Sequence, residues 1–83
     1  MMRYFFHLDN GKDVPDLMGQ EFCTLQAARE EAVREARQMA ADELRRGKLD
    51  PSHRVVVTDR FDRVLLAVAI EEALRAIPDR LVA

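Results

Sequence analysis

The 83-residue chain predicts an α+β domain: an antiparallel sheet of three to four strands with one long helix packed on one face. Three observations carry that expectation. "RYFFHLD" at residues 3–9 alternates with the period of a half-buried strand. "TLQAAREEAVREARQMAADELRRG" from residue 24 repeats apolar residues at three- and four-residue steps. "HRVVVTDRFDRVLLAVAI" from residue 53 sets two apolar runs around a polar turn. The order reads β-β-α-β-β within a single domain, 1–83, closed by a short C-terminal helix.

Along the first strand Tyr4, Phe6 and Leu8 share one side, and Arg3, Phe5, His7 and Asp9 the other. Asn10-Gly11 is a turn signal, because both residues tolerate positive φ. Residues 12–19 read as a loop punctuated by Pro15 and Gly19, and Gln20 to Cys23 as a short second strand. Thr24 is the expected N-cap of the helix. Its core stripe is Leu25, Ala28, Ala32, Ala36, Met39, Ala40 and Leu44, mostly alanine, so the helix lies close on the sheet. Glu30 and Arg34, four apart, support the outer face. Gly47 ends the helix and Pro51 confirms the stop. Asp59 to Asp62 then joins a strand holding Val55, Val56 and Val57 to one holding Val64, Leu65, Leu66, Val68 and Ile70. Ile70, Ala73, Leu74 and Ile77 have helical spacing before Pro78.

Composition bounds the function. Apolar residues at 48% with 34% charged make a globular chain. A domain of this size buries roughly 60 to 65% of its unfolded surface, too little for a deep enclosed site, which weighs against an enzyme. The net charge of −2 gives no basic footprint for nucleic acid or anionic lipid. One cysteine, no membrane-length apolar run and no secretory leader place the protein in the cytoplasm.

One helix covers one face of a sheet. Phe5 and His7 on the first strand, with Leu65 and Ala67 on the last, fall on the other face and form the candidate interaction surface. The C-terminal segment, a second copy of the chain or another protein would have to cover it.

The candidate chemistry is thin. Imidazole in general titrates in the right range for acid–base work, which makes His7 a candidate, but nucleophilic catalysis would need a positioned serine or cysteine beside it, so it is read as a strand histidine. Asp9, Asp13 and Asp16 suggest a calcium loop, yet counting from Asp9 the third position is Gly11 and the twelfth is Gln20. His7 and His53 have no fixed metal-ligand spacing. Cys23 is read as a small apolar contact for the first helical turn. Arg45, Arg46 and Lys48 complement the negative end of the helix. No catalytic, cofactor or metal residue is assigned.

"RYFFHL" at 3–8, the D-x-x-G-x-E of Asp16, Gly19 and Glu21, and the A-R-x-E-A of Ala28, Arg29, Glu31 and Ala32 resemble a small uncharacterised bacterial family. The resemblance implies a fold and no active site. More distantly, "VPDLMG" at 14–19 followed by "TLQAA" at 24–28 is similar to the HicB-like antitoxin fold, which would imply a nucleic-acid-associated regulator. The chain departs from that fold in having one clear strand before the loop and no DNA-binding segment after the domain. From the residues themselves, the expected function is a non-catalytic protein-interaction module, most simply a homo-oligomer.

Overall fold

A computed structural model describes residues 1–75 and contains five antiparallel strands and two helices: β1 (Met2–Asp9), β2 (Asp13–Val14), β3 (Gln20–Phe22), α1 (Leu25–Arg45), β4 (Arg54–Thr58), β5 (Val64–Ala69) and α2 (Ile70–Arg75). The α+β class and the single long helix agree with the sequence reading. The strand count rises because Asp13–Val14, expected as loop, pairs with the end of β1. A two-residue strand beside Pro15 has no alternation by which to declare itself. The expected closing helix is present as α2, and Ile77 and Pro78 lie outside the described residues.

The sheet order is β2-β1-β4-β5, with β3 pairing the other end of β1. Phe6 faces Val57 and Leu8 faces Val55; Val55 in turn faces Val68, and Val57 faces Leu66. These rows place Tyr4, Phe6, Val55, Val57, Val68 and Ile70 under α1, all buried, with Leu8 and Leu66 partly so. Thr58 pairs with Val64 and Val57 with Leu66, so Leu65 is the extra residue of a β-bulge.

Helix α1 is capped at both ends. Thr24 Oγ1 accepts the Ala27 amide at 3.0 Å. At the other end Gly47 adopts φ +74°; its amide bonds Leu44 O at 3.0 Å and the Lys48 amide bonds Glu43 O at 2.9 Å, the paired bonds of a Schellman cap. Ala28, Ala32, Ala36, Ala40, Val33 and Met39 meet the sheet, each large side chain contributing about 1.5–3 kcal/mol by burial. Two members of the expected stripe are corrected. Leu25 and Leu44 are exposed, and Glu43, one helical step from Leu44, takes the inward position. Helix α2 buries Ile70 and Ala73 and packs on α1, where Arg29 reaches Glu72 at 2.6 Å and Arg37 Nε donates to Ala73 O at 3.1 Å. The described part of the C-terminal segment therefore sits beside α1 and leaves the other sheet face uncovered.

Candidate functional site

The two edges of the sheet differ. Ile70 donates to His53 O at 2.8 Å, so by the two-residue period Val68 and Leu66 also point their backbone groups at β4. The amides and carbonyls of Ala67 and Ala69 point outward, and no described strand pairs with them. Strand β5, VLLAVA, carries no charge or proline.

The opposite edge is sealed. β3 reaches β1 at Tyr4 and β2 reaches it at Leu8, which leaves Phe6 between them. Asp16 fills the gap. Its Oδ2 accepts the Phe6 amide at 3.0 Å, and its Oδ1 accepts the amides of Met18 and Gly19, each at 3.0 Å. Partial burial works against the charge, but these amides outweigh it and hold the carboxyl below its ordinary value. A side chain thus replaces a strand.

The Asp16 amide also donates to His7 Nδ1 at 3.1 Å, which assigns the ring proton to Nε2, where it meets Thr58 Oγ1 at 2.9 Å. His7 is committed at both nitrogens, and its ring stacks on Phe5 with centroids 6.5 Å apart. By register Phe5, His7 and Ala67 of the expected surface lie on the face away from α1, and Leu65 has no partner in the ladder. His7, Val56 and Ala67 form one cross-strand row, Phe5 precedes His7 on the same side, and Leu65 stands at the bulge. A shallow groove of about 420 Å³ crosses this face between Pro15, Val56 and Val64. Polar groups interrupt it: Arg54 pairs with Asp9 at 3.4 Å, and Thr58 is buried.

Glu43 anchors a second cluster that the apolar stripe concealed. Its Oε1 accepts the Asp50 amide at 2.9 Å and its Oε2 meets His53 Nδ1 at 2.7 Å, while His53 Nε2 lies 3.3 Å from Asp50 Oδ2. Burial opposes the Glu43 charge, but the Asp50 amide and His53 prevail and lower its pKa; the bond to Glu43 in turn raises that of His53. A raised histidine value stabilises the fold fully below the ordinary value, and that contribution fades as pH climbs through the raised one. The difference in melting temperature between wild type and His53→Gln is therefore expected to be largest below the ordinary histidine value and to close as pH rises past the raised one, read by thermal scans of both proteins. Glu35, pushed up to about 7 by burial and by Glu31 against the help of Gln20, titrates in both proteins and cancels in this comparison.

The remaining candidates separate. His7 and His53 have different partners, and among the described residues no group of three or more His, Cys, Asp or Glu side chains is arranged to hold a metal ion. Cys23 is exposed and makes no core contact, so the reading of it as an apolar packing residue is corrected. Arg45 leaves the basic cluster to pair with Asp42. The sequence reading passed over Leu17 and Met18, which project from the Asp16 turn almost fully exposed; two large apolar residues in an otherwise polar loop were the available signal. No described helix is long and apolar enough to cross a membrane.

Fold and surface together define a small α+β domain with helices on one sheet face, one edge sealed and the other unpaired among the described residues. The chain belongs to DUF6894, a domain of unknown function, whose match spans residues 3–71, from β1 into α2. No curated protein and no solved structure matches it, and none of these comparisons connects it to the HicB-like fold.

Proposed function

We propose that this domain is a self-association module in which β5 pairs antiparallel with β5 of a second copy, continuing the sheet across a two-fold axis. The observation that carries this reading is the contrast between edges: Asp16 spends a charged side chain to close one, while β5 is uncharged and no described strand pairs with its Ala67 and Ala69 backbone groups. Monomeric proteins usually blunt such an edge with lysine, proline or a covering segment. A two-fold pairing satisfies both strands at once and leaves no further edge of the same kind. It also brings Leu65 and Ala67 of the two copies together on the open face, whereas Phe5 and His7 stay on the flank as supporting residues.

Sedimentation equilibrium is expected to show a dimer at micromolar to millimolar concentrations. Ala67→Pro removes an outward amide without touching the β4 ladder, and Leu65→Lys places charge at the seam. Each is expected to weaken the dimer at least about tenfold, close to 1.4 kcal/mol, while the far-ultraviolet circular dichroism is unchanged. A wild-type chain that is monomeric throughout that range would overturn the reading.

A further inference from the structure

We propose that the cavity between the turn after β1 and the end of α1 binds a phosphate group, held by Lys12, Arg46, Lys48 and His53. The cavity measures about 310 Å³ and is lined by these four residues with Asn10 and Glu43. That is the lower end of the size of small-ligand pockets.

The distribution of charge points to this place. The chain is acidic overall and has only two lysines, and both line this one cavity. Elsewhere among the described residues the arginines are engaged. Arg3, Arg29, Arg34, Arg45, Arg54, Arg63 and Arg75 each pair with a carboxylate. Arg37 donates to the Ala73 carbonyl, and Arg60 lies over the Phe61 ring at 5.0 Å. Among the described residues Lys12, Arg46 and Lys48 have no carboxylate partner; Arg46 makes one long bond, at 3.4 Å, from Nε to the Asp42 carbonyl. Three uncompensated cations around one concavity raise the local concentration of anions and offer them convergent donors.

The acidic groups nearby do not cancel this. Both oxygens of Glu43 are engaged by the Asp50 amide and His53, and Asp50 accepts from the amide and hydroxyl of Ser52 at 3.0 and 2.6 Å. The bond from Glu43, with the charges of Glu43, Asp50 and Asp9, raises the pKa of His53 and so favours its cationic form. The end of α1 carries partial negative charge, but the Schellman bonds already occupy the carbonyls of Glu43 and Leu44.

The test is an amide NMR titration of the full chain with inorganic phosphate at low ionic strength, against chloride at matched ionic strength. Saturable shifts confined to residues 10–12, 46–48 and 53 are expected, and the double variant Lys12→Glu, Lys48→Glu, with an otherwise native spectrum, should bind at least about tenfold more weakly. Single Lys12→Ala and Lys48→Ala variants, each weakening binding, serve if the double variant misfolds. A second arm uses a nucleoside monophosphate: tighter binding than inorganic phosphate identifies a phosphate ester as the ligand, and equal binding identifies the free anion. Shifts no larger than those from chloride, shifts spread over the surface, or undiminished binding by the variants would overturn the proposal. So would a short RNA that binds while leaving these residues unmoved.

Discussion

Gly19→Ala is expected to cost about 3–4 kcal/mol, a large share of the stability of a domain this small, and to lower the melting temperature by about 15 °C or more. Two effects add. Gly19 holds φ +71°, where a side chain costs about 1–2 kcal/mol. A Cβ there would also lie 2.8 Å from Arg3 Cγ, 2.9 Å from Phe5 Cε2 and 2.9 Å from the Tyr4 carbonyl oxygen. The arginine can swing aside. The carbonyl is fixed in the middle of β1, so relief needs the strand or the turn to move, at roughly 1–3 kcal/mol more. Gly47 isolates the first effect, because its φ of +74° is almost the same but a Cβ there meets nothing within 4 Å. Gly47→Ala should therefore cost only about 1 kcal/mol. Urea unfolding of the two variants separates strain from collision; equal losses would mean that the contacts at Gly19 have no energetic weight.

The elements that could be read from the sequence are those whose signals are local. β1 announced itself by alternation, α1 by its alanine period, Thr24 and Gly47 by the chemistry of helix ends, and Asp62, with φ +65°, by being one of the few residues that accepts the left-handed conformation in the β4–β5 turn. Glu43 was missed because a charged residue breaks an apolar pattern; its bonds with the Asp50 amide and His53, further along the chain, explain why it points inward. Lys12 meets Arg46 and Lys48 through the fold alone, since no spacing links a turn after β1 to a helix end. Likewise Phe5, His7, Leu65 and Ala67 could be assigned to one face from parity, but the register that puts Ala67 in the row of His7, and its amide on the free edge, comes from pairings with β4.

Asp16 is the residue whose role was least visible and whose loss should reach furthest. Asp16→Ala releases the amides of Phe6, Met18 and Gly19 together. Bonds to a charged acceptor are worth about 1.5–3 kcal/mol each, but water can reach the two turn amides, so a loss of about 2–3 kcal/mol and about 10–20 °C in melting temperature is expected. Asp16→Asn tells acceptor count from charge. Its single amide oxygen can keep the Met18 and Gly19 bonds, yet its amide group would then face the Phe6 amide, donor against donor, and about half of the loss seen in Asp16→Ala is expected. Because the folded carboxyl titrates below its ordinary value, the wild-type advantage over both variants is present above that ordinary value and must shrink as pH falls through the folded one. Constant differences between neutral and strongly acid pH would show that the charge contributes nothing. The Ala variant makes one more distinction. It leaves Phe6 with an unpaired outward amide between β2 and β3, so it exposes a second open edge on a protein proposed to associate through the first. Chains that join through two different edges do not close into dimers, and Asp16→Ala should form larger, polydisperse assemblies by light scattering where the proposed wild-type dimer would stop at two.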